Sequence, residues 1–101
     1  MTQFKGTPGP WRVSEKRGDL IDIRHENNEP GAMSLNLAQV VARQSWLKEA
    51  EANARLISAA PELLEALSVT LDEIGHWLSQ QKPELREKLV LVINKATGET
   101  K

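Results

Sequence analysis

Asn53 and Arg55 stand among small and aliphatic neighbours in the run Glu51-Ala52-Asn53-Ala54-Arg55-Leu56-Ile57-Ser58-Ala59-Ala60-Pro61-Glu62-Leu63-Leu64-Glu65-Ala66-Leu67. A guanidinium between alanines can come close to a phosphate or carboxylate and offer it two parallel N–H groups, the chemistry that an anionic ligand requires. Arg55 can equally pair with Glu51, four residues earlier on a helix. Asn53 borders the apolar stripe of the same helix, where its amide can satisfy backbone groups of a neighbouring strand or loop. Residues two apart on a helix point roughly 200° around the axis, so the pair serves two different partners.

Two tryptophans have basic neighbours: Trp11 precedes Arg12, and Trp46 follows Arg43. Exposed beside such groups or Arg55, either ring could stack on a base; otherwise both are apolar corners opening a strand and a helix. Asn53, Arg55, Trp11, Arg12, Arg43 and Trp46 are therefore the candidate ligand-binding residues. Other chemistry is harder to assemble. The two histidines, His25 in a loop and His76 in a helix, stand in no nucleophile–base pattern. One histidine beside Glu26 and near Asp22 is a solvated turn before it is a metal site, and no metal or cofactor is expected. The six glycines are isolated, and no phosphate-cradling loop can be built from them. Glu62, Glu65, Glu84 and Glu87 fall at helix starts, where negative charge offsets the helix dipole. No catalytic residue is assigned, and the chain is expected not to be an enzyme.

The elements that would hold these residues are legible from periodicity. Residues 1–10 contain Gly6, Pro8, Gly9 and Pro10 and read as an extended arm. Trp11–Val13 and Leu20–Arg24 flank a Gly18 turn, and in the second piece Ile21 and Ile23 alternate with Leu20, Asp22 and Arg24. That pattern gives one apolar face and one mostly wet face. After a turn over residues 25–31, with Asn27, Asn28 and Pro30-Gly31, Leu35–Ala42 makes a third strand, so 11–44 form an antiparallel β-meander. Ser45 is a reasonable N-cap for a helix whose stripe is Leu47, Ala50, Ala54 and Ile57. Pro61 ends or kinks that helix and sits at the first position of the next. Ala60, Leu64, Leu67, Leu71, Ile74 and Leu78 form the second helix's seam; Lys82-Pro83 stops it, and Leu85, Leu89, Val92 and Ala96 continue the pattern in a third. The expected fold is a single α+β domain: the meander, then helices over 45–97 forming a helical hairpin, then a frayed tail over 98–101.

Leu63, Val69, Trp77, Val90 and Ile93, with Leu91, lie off that seam and give the helices more apolar surface than one helix pair consumes. With 101 residues to build a core, a second copy is expected to cover the excess, and the first five are the candidate interface. Thirteen basic residues scattered among fourteen acidic ones, for a net charge of -1, leave neither a duplex-binding footprint nor an acidic mimic of one. The chain has no cysteine, no signal-like N-terminus and no apolar run near the roughly 18 residues of a membrane span. A cytoplasmic location without a membrane partner is expected.

Thr7-Pro8-Gly9-Pro10-Trp11-Arg12-Val13 and the run from Glu51 to Leu67 resemble a widespread family of small phage and prophage proteins. Those proteins open with a TPGPW-like arm and carry an ANARLIAAAPELLEAL-like segment. The resemblance covers both ends of the pattern and implies origin and architecture, but brings no reaction or ligand with it. Joined to the absence of catalytic groups and to the size argument for a second copy, the phage origin leads to the expectation of a non-enzymatic, homo-oligomeric interaction protein of the host cell cytoplasm. Such a counter-defence or host-takeover factor would bind and sequester a nucleotide second messenger or a host defence protein. The alternative is a nucleic-acid-associated phage accessory protein, although nucleic acid is not the expected partner. The placement of Arg12, Arg43, Arg55 and Arg86 separates these readings. One stripe favours nucleic acid, pairs about a cleft favour a small anion, and scatter favours a protein.

Overall fold

The computed structural model describes residues 4–25 and 36–99. Three antiparallel strands, β1 (Trp11–Arg17), β2 (Leu20–His25) and β3 (Asn36–Val41), pair in the order β1-β2-β3. A 3-10 turn over Gln44–Trp46 leads into α1 (Leu47–Ser58), followed by α2 (Ala60–Gln81) and α3 (Pro83–Thr97). The fold is α+β, with the sheet N-terminal and the helices C-terminal, as the periodicity requires. The expected Asn27–Gly31 turn chemistry, the first residue of the expected third strand and the last two residues of the chain lie outside the described residues.

β1 runs four residues past the expected Val13. Arg17 pairs with Leu20 across the two-residue turn Gly18-Asp19, and Gly18 has φ 60°, the positive value a tight hairpin needs at its first turn position. The extension is accommodated by a bulge between Val13 and Lys16. A second irregularity between Ile23 and Arg24 brings Arg24 opposite Asn36 of β3.

The chain forms two compact units, one from Thr7 to Glu62 and the other from Leu63 onward together with residues 4–6. In the first unit Ile21, Ile23, Ala42, Ala50 and Ala54 form the core, with Trp11, Ala38, Val40, Leu47 and Ile57 packed around it. The α1 stripe is the expected one, and its two buried alanines, one helical turn apart, let α1 lie close on the β2 face that carries Ile21 and Ile23. Ser45 does not cap the helix. The chain enters through the 3-10 turn, where the Trp46 N–H donates to the Arg43 carbonyl at 2.8 Å, and Trp46 occupies the cap position without a side-chain bond.

In the second unit the sheltered faces are rotated from the expected seams. On α2 they include Leu64, Leu67, Ser68, Leu71, Gly75 and Leu78, while Ala60 and Ile74 are exposed. Small residues explain the rotation. A methyl group at Gly75 would lie 3.3 Å from Leu71 Cδ1 and 3.9 Å from Arg86 Nε of α3, so the bare glycine admits side chains that a hydropathy pattern does not anticipate. On α3 the sheltered residues are Leu89, Val90, Ile93 and Thr97; Leu85, Val92 and Ala96 are exposed. Lys82 alone links α2 to α3: its N–H closes the first on the Leu78 carbonyl, and its carbonyl accepts from Arg86 in the second. At the other end Gly98, with φ 81°, caps α3, and the Glu99 N–H bonds the Asn94 carbonyl at 2.8 Å. That closure satisfies carbonyls in the last turn of α3.

Candidate functional site

The two signature segments meet in the first unit. A Cβ placed on Gly9 of the arm would stand 2.8 Å from Pro61 Cβ and 3.2 Å from Pro61 Cγ, so the arm's backbone lies against the proline that opens α2. The arm is tied again where the Trp11 indole N–H donates to the Thr7 carbonyl at 3.1 Å. Trp11 is thus the apolar corner the sequence allows, with its polar edge satisfied inside the arm. Pro61 falls on the second residue of α2, in the first turn, where its missing N–H leaves no helical bond unmade.

The run from Ala50 to Ile57 divides by face. Ala50, Ala54 and Ile57 are spent on the core, whereas Asn53, Arg55 and Leu56 are exposed, Leu56 to 63%. The Asn53 side chain makes no hydrogen bond among the described residues, so the structural use expected of its amide is not seen there. The expected Arg55–Glu51 ion pair is also not formed; among the described residues both ion pairs are to Asp22. The Arg55 guanidinium therefore stands open beside Ala52 and Leu56. Trp46 is 54% exposed rather than a core corner, and with Gln44, Ser45, Leu47, Lys48 and Glu49 it lines a shallow depression of about 530 Å3.

These candidates do not converge. Arg12 lies opposite Arg24 on the sheet face away from α1, Arg43 is exposed between β3 and the 3-10 turn, and Arg55 is on the outer side of α1. Arg86 is on α3, in the other unit. Within the first unit Arg12, Arg43 and Arg55 are scattered. Of the candidate interface residues, Leu63, Val69 and Trp77 are exposed, Val90 is half-buried, and Ile93 is buried within the chain with no surface left to offer a partner.

The most organised polar cluster is one that reading the strand as wet on one side misses. Asp22, mid-way along β2, is fully buried. Its Oδ1 accepts from Gln39 Nε2 at 2.9 Å, directly across on β3. Its Oδ2 lies 2.7 Å from Arg17 Nη2 and 3.3 Å from Arg24 Nη2, and Arg24 Nε donates in turn to Asn36 Oδ1 at 2.8 Å. Bonding from Gln39, with Arg17 and Arg24, holds the carboxyl below the usual carboxylate range against the opposing effect of burial. Asp22 stays ionised and can only accept. The legible signal was the alternation of Asp22 with Arg24, and Arg17 just across the turn. With Arg12 alongside, three guanidiniums share this face with one carboxylate.

His76 is exposed on α2, 3.3 Å from Gln80 Nε2, a surface helical histidine. No group of three or more potential metal ligands occurs among the described residues. No helix there is long and apolar enough to cross a membrane. Neither a curated protein nor a solved structure matches the chain. The family model described as Salmonella phage P22 protein Y8K6 matches residues 1–100, the whole signature arm and helical run included, and the chain belongs to that phage protein family.

Proposed function

We propose that this phage-family chain is a non-enzymatic binding protein that engages a host component in the host cytoplasm, as a counter-defence or host-takeover factor. One observation carries the reading. The signature run commits Ala50, Ala54 and Ile57 to the core and presents Arg55 and Leu56, which no described residue of the first unit uses, side by side at the surface. A cation beside an apolar side chain, with small neighbours that admit close approach, is the composition of an interface anchor rather than of a solvated helix face. The scatter of Arg12, Arg43 and Arg55 over the first unit favours a host protein over a small anion as the target.

The experiment compares the wild-type chain with Arg55→Ala and Leu56→Asp, both at exposed positions where folding should change by no more than about 0.5 kcal/mol. Tagged versions are used to capture host proteins. A protein retained by the wild type and lost by both folded variants supports the reading; one retained equally by all three refutes the α1 surface as its site. Calorimetry against linear and cyclic nucleotides tests sequestration of a signal. Loss of the Arg55 charge should weaken phosphate binding by about 1.5–3 kcal/mol, and no heat from the wild type eliminates the nucleotides tested.

A second reading has an observation of its own. Arg12, Arg17 and Arg24 share the sheet face away from α1, as a nucleic-acid-associated accessory protein would need. Salt-sensitive binding of single-stranded oligonucleotides that Arg12→Ala weakens would favour it.

A further inference from the structure

Helices α2 and α3 carry two exposed apolar stripes bordered by opposite charge. On α2, Leu63, Ala66, Thr70, Ile74 and Trp77 fall within an arc of about 100° and span about 21 Å. All five are exposed, with Leu63 at 47%, Ile74 at 43% and Trp77 at 54%. The Thr70 hydroxyl is spent on the Ala66 carbonyl at 2.7 Å, so the stripe makes no polar demand there. No charged residue interrupts it. Those on the helix are Glu62, Glu65, Asp72 and Glu73, and α2 has no Lys or Arg. Glu62 and Glu73 border the stripe.

On α3, Leu85 (47% exposed), Val92 (40%) and Ala96 form the second stripe; Lys88 and Lys95 border it, with Glu84 beyond them at the helix start. Glu62, Glu73, Lys88 and Lys95 are all exposed and make no ion pair among the described residues. An all-acidic helix does not favour packing on another copy of itself, because like charges would line both edges of the seam. Its complement is an apolar stripe edged with lysines, and α3 of a second copy presents one.

We infer that two copies of the chain associate reciprocally, the α2 stripe of each packing on the α3 stripe of the other. A two-fold axis turns one heterotypic contact into two identical ones, so the same contact, made twice, covers both stripes. This assembly is independent of the host-binding reading, since it uses residues of α2 and α3 and none of α1.

Charge reversal tests it in the full-length protein. One variant carries Lys88→Glu and Lys95→Glu, the other Glu62→Lys and Glu73→Lys. Light scattering should give a dimer for the wild type and a monomer for each variant alone. An equimolar mixture of the two should give a dimer again, because both reciprocal contacts then join opposite charges. Circular dichroism separates loss of assembly from loss of fold, and Trp77→Ala, which changes no charge, should also shift the wild type towards monomer. A wild type monomeric at high micromolar concentration overturns the inference. So does a lysine-reversed variant that stays dimeric, which would put the contact between the two α2 helices or elsewhere. A mixture of folded variants that remains monomeric overturns the reciprocal pairing.

Discussion

One methyl group at Gly9 tests whether the arm is seated on the start of α2. In Gly9→Ala the new Cβ would lie 2.8 Å from Pro61 Cβ and 3.2 Å from Pro61 Cγ. Carbon atoms rest at about 3.5–4.0 Å, so one side must yield by roughly 0.7 Å or more. The proline ring cannot rotate aside as a flexible side chain would, and the strain falls on backbone. Overpacking of this kind costs about 1–3 kcal/mol, while the narrower unfolded ensemble of alanine returns about 0.4–1 kcal/mol. The net expectation is a loss of roughly 1–2 kcal/mol. In a domain of this size that lowers Tm by about 5–15 °C in a calorimetric or circular-dichroism melt. Pro61→Gly removes both opposing carbons, so in that background Gly9→Ala should be neutral or mildly stabilising, and the double-mutant cycle isolates the contact from any other effect at either site. An unchanged Tm for Gly9→Ala, or an equal loss in both backgrounds, would refute the packing of the arm on Pro61.

Three further expectations concern the fold. Ile23→Ala, at the fully buried centre of β2, should cost about 2–5 kcal/mol in urea unfolding, whereas Leu56→Ala, 63% exposed, should stay within about 0.5 kcal/mol. The Asp22 carboxyl has a lowered pKa when folded, so its contribution is fully present above the ordinary carboxylate range and fades as pH falls through the lower folded value. Asp22→Asn should therefore be less stable than wild type at neutral pH, with the gap narrowing below about pH 4; a gap constant down to pH 2 would refute the ionised cluster. Gly98→Ala meets no neighbour within 4 Å but must hold φ near 81°. It should lose roughly 1–2 kcal/mol, read as a lower thermal midpoint.

The order of elements was legible because each depends on local spacing: Ile21 and Ile23 alternate as a strand requires, and Leu47, Ala50, Ala54 and Ile57 repeat as a helix does. What the sequence left ambiguous was direction. Along α3, Leu85–Leu89–Val92–Ala96 and Leu89–Val90–Ile93–Thr97 are both plausible faces, and hydropathy cannot tell which one turns inward. The choice is coupled to Gly75, where a missing side chain on α2 admits Arg86, and a pattern scored on large apolar residues passes over such absences. The Asp22 cluster was hidden for a related reason. A charged residue in alternation reads as solvated until its cross-strand neighbours are known, and Gln39 and Arg17 become neighbours only once the register and the bulge are fixed. Arg55 and Asn53 could be picked out by composition, but their exposure, and the unformed pair with Glu51, required the fold.

The buried Asp22 also constrains how this family can diverge. Its carboxylate is shared by Arg17 on β1, Arg24 on its own strand and Gln39 on β3, so no one of these positions can drift alone. Loss of the acid leaves two guanidiniums facing each other across a sheet, and loss of one arginine leaves a buried anion short of a donor. Members of the family should therefore keep all four residue types or exchange them as a set, for example for apolar residues throughout. Substitutions at positions 17, 22, 24 and 39 should accordingly be correlated across related phage sequences, while Asn53, whose side chain bonds none of the described residues, is free to vary unless a partner constrains it.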